Sequence, residues 1–150
     1  QNERADYLRY HALHATLSTQ WSGLSWFQPK LTLAGNLSWK KPDAFSATDN
    51  LLKNAYYSLT MDFYPISKLR LYADFSQSVF EIAHSHYSVN SFLNAGLRYD
   101  FHPRWTVSAN LSNLLNRKDY EVSLYQGANF LYYRVPLRGR EFLVSLRFKY

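Results

Sequence analysis

Apolar and polar residues alternate along most of this chain with a period of two, the spacing of a β-strand whose side chains point to opposite faces in turn. The last ten residues show it most clearly: Phe142, Val144, Leu146, Phe148 and Tyr150 fall on one side, and Glu141, Leu143, Ser145, Arg147 and Lys149 on the other. Leu31, Leu33, Gly35, Leu37 and Trp39 alternate in the same way with Thr32, Ala34, Asn36 and Ser38. Ala55, Tyr57, Leu59, Met61 and Phe63 alternate with Tyr56, Ser58, Thr60, Asp62 and Tyr64. The rule recurs from Leu69 to Ser76, from Leu93 to Phe101 and from Trp105 to Leu111, and more loosely from Tyr7 to Trp21, where Leu13, Ala15 and Leu17 share a face. Each run covers about ten residues and leaves one face without charge, which is how the strands of a membrane-spanning β-barrel read. No helix is needed.

The same alternation predicts pairings. Across the short link Pro65-Ile-Ser67, Phe63 would meet Leu69, Met61 would meet Leu71 and Asp62 would meet Arg70, so that one register suits both faces. A turn centred on Pro103 joins the next two strands. In the final hairpin, Trp105 opposite Tyr150 brings Val107 to Phe148, Ala109 to Leu146 and Leu111 to Val144, and projects to a two-residue turn at Gly127-Ala128. Pro136 and Gly139 interrupt the returning strand and predict a bulge or bend there.

The connections are unequal. Those near 24–29, 65–67 and 102–104 are short, whereas 41–53, 77–91 and 113–138 are long and polar, the last largely as strand that extends beyond a bilayer. Outer-membrane barrels have short periplasmic turns and long outer loops, which puts the C-terminus on the periplasmic side. Counting gives about seven strands, near residues 7–21, 30–40, 54–64, 68–79, 91–101, 104–125 and 130–150. Bacterial single-chain barrels have an even number of strands, and open edges have no hydrogen-bond partners in lipid. Further strands are therefore expected before Gln1. The fold class expected is an all-β, antiparallel, up-and-down transmembrane barrel segment of about seven strands, an arc of a larger barrel.

Composition narrows this further. The 150 residues are 47% hydrophobic with a mean hydropathy of −0.38, and no run approaches the roughly 20 apolar residues of a spanning helix. Aromatic residues make up 18%. In a barrel they form interfacial girdles, and Trp21, Trp26, Phe27, Tyr64, Phe101 and Trp105 cluster near the short turns as a periplasmic girdle. The competing picture is a soluble β-sandwich with a Tyr-rich core. The absence of cysteine removes disulfides and thiolate metal sites. The net charge of +6 is scattered over single residues such as Arg9, Lys30, Lys53, Lys68 and Arg98 and forms no stripe for nucleic acid. Only Arg117-Lys118 and Arg134, Arg138 and Arg140 gather, where either lipid phosphates or plain solvent would face them. The opening Gln-Asn-Glu-Arg has no initiator Met and no secretory segment, as in a mature or truncated chain.

Candidate chemistry is sparse. His84 and His86 could offer two metal ligands on one strand face, with Glu81 nearby, but a solvated outer loop accounts for the same pattern. His11 and His14 fall on opposite faces. Ser85 with His84 or His86 and Asp74 or Glu81 could be written as a nucleophile set, yet adjacent residues cannot converge on one strand face, so neither catalysis nor a cofactor is expected. Asp62, Arg70, Asp74, Arg98, Asp100 and Arg147 all sit at inward positions, as ion pairs that hold the wall or as contacts to water, a plug or a substrate.

Two stretches carry a resemblance. Asn110-Leu-Ser-Asn-Leu-Leu-Asn-Arg-Lys-Asp-Tyr120 and Pro136-Leu-Arg-Gly-Arg-Glu-Phe-Leu-Val-Ser-Leu-Arg-Phe-Lys-Tyr150 resemble the C-terminal end of TonB-dependent outer-membrane receptors, most of all the Bacteroidetes kind, over roughly the last forty residues. The preceding strands are compatible but generic. The resemblance implies that residues 1–150 are about the last third of a barrel of about 22 strands, with the earlier strands and the plug outside this chain. It implies residence in the bacterial outer membrane and import of a large nutrient such as a metal chelate or glycan. The partners implied are outer-membrane lipid, the receptor's own N-terminal strands and plug, TonB through that plug, and the barrel-assembly machinery. Phe148 and Tyr150 fit the aromatic pair of the assembly signal, although Ser145 stands where glycine is usual and Leu143 where a polar residue is usual. A complete small barrel with a structural or adhesive role, or a barrel hydrolase, would be the alternatives.

Overall fold

The structure, a computed structural model, describes residues 10–40, 50–83, 86–126 and 129–150, and among them there is no helix. Nine strands follow in order: β1 (Tyr10–Gln20), β2 (Phe27–Lys40), β3 (Asn50–Ile66), β4 (Leu69–Ala83), β5 (His86–His102), β6 (Trp105–Ser112), β7 (Asp119–Gln126), β8 (Asn129–Pro136) and β9 (Glu141–Phe148). Seven form one antiparallel sheet in the order β1-β2-β3-β4-β5-β6-β9, while β7 and β8 pair separately as a hairpin. The seven-stranded sheet matches the expected number, with the sixth and seventh expected strands each broken in two. It is open, with β1 at one edge and β9 at the other.

The two faces are sorted as the alternation requires. Leu13, Leu17, Leu31, Leu33, Leu37, Trp39, Phe63, Val89, Tyr99, Phe101 and Leu111 are exposed on one face, joined by Phe142, Val144, Leu146 and Phe148 of β9. No described strand packs over them. Leu52 is the only buried hydrophobic residue among those described, yet Ser38, Ser78, Glu81, Ser88, Asn90, Thr106, Asn113 and Ser123 are buried. This inverts the usual order of a water-soluble domain, in which apolar side chains are enclosed and polar ones left outside. The apolar face is not wholly uniform. By the alternation Gln77 and Ser91 lie on it, where the Gln77 amide donates to the Ser91 hydroxyl, and Lys53, opposite Leu37, shares it at the upper margin.

Two expected registers are off by two residues. Strand β3 runs through Pro65 to Ile66, which pairs with Leu69 around a turn at Ser67-Lys68, and an irregularity then sets Phe63 opposite Leu71 and Met61 opposite Ala73. Trp105 pairs with Phe148, Val107 with Leu146, Ala109 with Val144 and Leu111 with Phe142, so Tyr150 lies beyond the last strand. The expected register does hold in the outer hairpin, where Asp119 meets Pro136 and Gln126 meets Asn129. The turn expected at Gly127-Ala128 lies outside the described residues. Between the halves, residues 113–118 link β6 to β7 and only 137–140 link β8 to β9. The longer link holds two residues more, and that difference is the register shift.

The tight part of this junction contains two asparagines at positive φ, Asn113 at 52° and Asn116 at 55°, a conformation that asparagine tolerates better than most residues. The interruption expected at Pro136 and Gly139 is therefore present. In contrast, the described residues of 77–91 are strand and not loop: β4 and β5 stay paired up to Ala83 and His86. Val79, Ile82, Tyr87 and Val89 supply strand-forming residues there, and the polar Ser88 and Asn90 find partners in β7.

One close contact locks the middle of the sheet. On the polar face Tyr72 lies across Gly96 of the neighbouring strand, where a Cβ would fall 2.6 Å from its ring, and its hydroxyl donates to Asn110 Oδ1 at 2.7 Å one strand further on. Gly96→Ala should destabilise the protein by about 1–3 kcal/mol through overpacking, although the same change in an open strand would stabilise by about 0.5–1 kcal/mol. Equilibrium denaturant unfolding checks this, with Tyr72→Ala expected to relieve the Gly96→Ala penalty.

Candidate functional site

The polar face brings together all six charged residues expected there. Arg70 donates to Asp62 at 2.7 Å along a diagonal and not, as the expected register had it, from the directly opposite position. Arg98 lies 3.4 Å from Asp100, which also accepts from the Thr106 hydroxyl. Asp74 accepts from Thr60 at 3.0 Å and from Asn94 at 3.5 Å. Arg147 sits opposite Thr106. Arg98, Thr106, Ser108, Ser145 and Arg147 line a hollow of about 390 Å³. Arg70 and Arg98 are direct cross-strand partners, a like-charge pairing that would be unfavourable without the two aspartates beside it. These pairs are half exposed, so they hold orientation more than they hold the fold.

A second cluster closes the outer end of this face. Asn90, fully buried, accepts from the Glu121 backbone N–H at 3.0 Å and donates to the Glu121 carbonyl at 2.6 Å, so its side chain imitates a ladder residue for β7. Ser88 donates to the Glu121 carboxylate at 2.6 Å, and Ser123 donates to the Glu81 carbonyl at 2.6 Å. Tyr120 packs its ring near Phe80 and Phe92, both at 6.1 Å. The hairpin β7–β8 is thus fastened to β4 and β5 on the polar side by hydrogen bonds and rings.

The junction below it is held by Asn113. Its backbone N–H donates to Asn94 Oδ1, its side-chain amide donates to the Arg117 and Arg138 carbonyls, and its Oδ1 accepts from the Arg117 N–H, all between 2.7 and 2.9 Å. Asn113 and Asn116 belong to the segment on which the family resemblance rests, and the structure gives Asn113 a physical task within it. Periodicity could not have disclosed it, because a bracket of this kind leaves no alternation.

Other expectations divide. Trp26 meets Phe63 edge-on at 5.5 Å and Trp105 lies 4.7 Å from Phe148, so aromatics do gather near the short turns. Tyr64, beside the same short turn, borders a polar hollow with Lys68, Arg70, Arg98 and Asp100, on the face that its alternation with Phe63 assigned it. His11 stacks on Trp39 and His14 bonds Thr16, on opposite faces as expected. His86 is exposed, while His84 and Ser85 lie outside the described residues; among those described no group of three or more acidic, His or Cys side chains could hold a metal. Comparison with protein-family models, curated proteins and solved structures finds no match to this chain.

The Ser88 hydroxyl first, then Tyr132 and Arg134, hold the Glu121 carboxyl below the usual carboxylate range despite partial desolvation. A carboxyl that is more acidic when docked favours docking above its ordinary value, and that favour is lost as pH falls through the lowered one. Exchange protection of the Glu121 amide should therefore stay level from neutral pH down to about pH 5 and fall in stronger acid. Glu121→Gln should make the protection independent of pH.

Proposed function

We propose that this chain is wall of an outer-membrane β-barrel of the TonB-dependent receptor kind, taking part in import of a large nutrient such as a metal chelate or glycan and carrying no catalysis of its own. The observation that carries this reading is the inverted sorting of the sheet: exposed Leu, Phe, Val and Trp on a face that no described strand covers, and buried Ser, Asn and Thr on the other. Lipid is the solvent that suits the first face, and a hydrated lumen or plug suits the second. The open order from β1 to β9 favours an arc of a larger ring over a small closed cylinder, since both edges need strand partners in a bilayer. In that ring the residues act mechanically. The apolar belt meets acyl chains, the girdle aromatics mark the periplasmic boundary, and Asp62, Arg70, Asp74, Arg98, Asp100 and Arg147 face whatever fills the lumen. Phe148 and Tyr150 serve the assembly machinery, and energy coupling comes from a plug and TonB.

Three experiments test this. Full-length protein should fractionate with the outer membrane, and deleting TonB should abolish nutrient uptake. Within the sheet, Leu59→Lys or Leu97→Arg should destabilise the barrel in lipid vesicles by about 2–4 kcal/mol, and Ser58→Lys on the opposite face by much less. Equal losses on the two faces in denaturant titrations would overturn the orientation.

A further inference from the structure

We propose that the strand pairing with the open edge of β9 carries an Asp or Glu opposite Arg147, an inference that rests on the barrel reading above. β9 ends the sheet as a strand suited to a further neighbour. Its eight residues are exposed on both faces, and its ladder with β6 runs from Ser112 with Glu141 to Trp105 with Phe148 without a bulge. It holds no proline either, so two of the devices that ordinarily shield a sheet edge are absent from it. β1 is equally regular, through eleven consecutive pairs with β2. Yet these two edges cannot close on each other. Seven strands that alternate in direction leave β1 and β9 running the same way, whereas the strands of such barrels are antiparallel throughout. The same argument excludes a ring made of several copies of this sheet. On the barrel reading the neighbour of β9 is therefore a strand outside residues 1–150 that runs opposite to β9, away from the periplasm.

Alternation fixes what that strand presents. Its outer face meets Phe142, Val144, Leu146 and Phe148, and so is apolar. On the inner side β9 offers, from the outer rim downward, Glu141, Leu143, Ser145 and Arg147. Glu141 has Arg138 at 3.5 Å, and Ser145 shares a hydrogen bond with Ser108 at 3.0 Å. Arg147 is different. The other two arginines of the sheet's inner face have carboxylates, Arg70 with Asp62 at 2.7 Å and Arg98 with Asp100 at 3.4 Å, but Arg147 meets none among the described residues. Asp100, two strands away, is already engaged by Thr106 and Arg98. The space beside Arg147 is open. The hollow of about 390 Å³ that it shares with Arg98, Thr106, Ser108 and Ser145 also touches Leu146 and Phe148, which belong to the opposite face, so the hollow reaches round the free edge. A carboxylate on the neighbouring strand enters that space from the edge, and opposite charges directly across a ladder attract. The strand is favoured over a free anion because the edge needs a ladder partner in lipid whatever else fills the hollow.

The test uses the full-length protein in outer membranes. Residues 1–150 contain no cysteine, so Arg147→Cys can be combined with single cysteines placed in turn along the first strand of the barrel. Disulfide formation under mild oxidation should be strongest where the second cysteine replaces an inward-facing Asp or Glu, and should be lost at the positions immediately beside it. Separately, Arg147→Glu should lower the temperature at which the barrel unfolds in detergent, and exchanging the facing acidic residue for Arg in the same protein should restore it. Strongest cross-linking at a neutral or basic position, no cross-link at any position of that strand, an unchanged unfolding temperature in Arg147→Glu, or an exchange that restores nothing would each overturn the proposal. Absence of the protein from the outer membrane would instead overturn the barrel reading.

Discussion

Strict period-two sorting allows neighbouring strands of this sheet to slip only by even numbers. A shift of one residue between β3 and β4 would carry Leu59, Met61 and Phe63 to the side of Asp74 and Arg70, and Asp62 to the apolar side, exchanging every side chain of the strand between two incompatible surroundings. A shift of two leaves each residue on its own face and changes only its height. The rest follows from that constraint. Both departures from the expected pairing are shifts of two, at β3–β4 and at β6–β9, and neither moves a charge into the apolar belt.

This is also why so much of the architecture could be read from the chain. Alternation reports a strand and its two faces directly, and short turns at Pro103 and near Pro65 report neighbours. Height is another matter. It is decided by how many residues a turn or link consumes, and Ser67-Lys68 or Asn113–Asn116 show no alternation from which that number could be counted. The long polar stretch from Gln77 to Ser91 misled for a different reason. Polarity suggested a loop, but Ser88 and Asn90 are buried strand residues whose hydrogen bonds go to Glu121, a partner thirty-odd positions away. The six charged residues of the candidate site needed only their parity to be placed.

What holds the sheet together is correspondingly unlike a packed core. With a single buried hydrophobic residue described, little apolar area is shielded by the chain itself, so stability must come from ladder hydrogen bonds, cross-strand pairs and the solvent that covers the apolar face. Interlocking supplements these where the faces permit it. Tyr72 laid over Gly96 and bonded to Asn110 ties three adjacent strands. The Thr60, Asp74, Asn94, Asn113 series does the same from β3 to the junction: Asp74 accepts from Thr60 and from Asn94, and Asn94 accepts from the Asn113 N–H.

The junction is where height, polarity and charge meet. Because its two links differ by two residues, the outer hairpin is not a straight continuation of β6 and β9; it is set against the polar side of β4 and β5, where Asn90 receives its edge. That placement covers Ser88, Asn90 and Ser123. A straight hairpin would leave Asn90 and Ser88 without the Glu121 partners that justify their burial. The side chain of Asn113 engages both links at once, so it fixes the bend that their unequal lengths create.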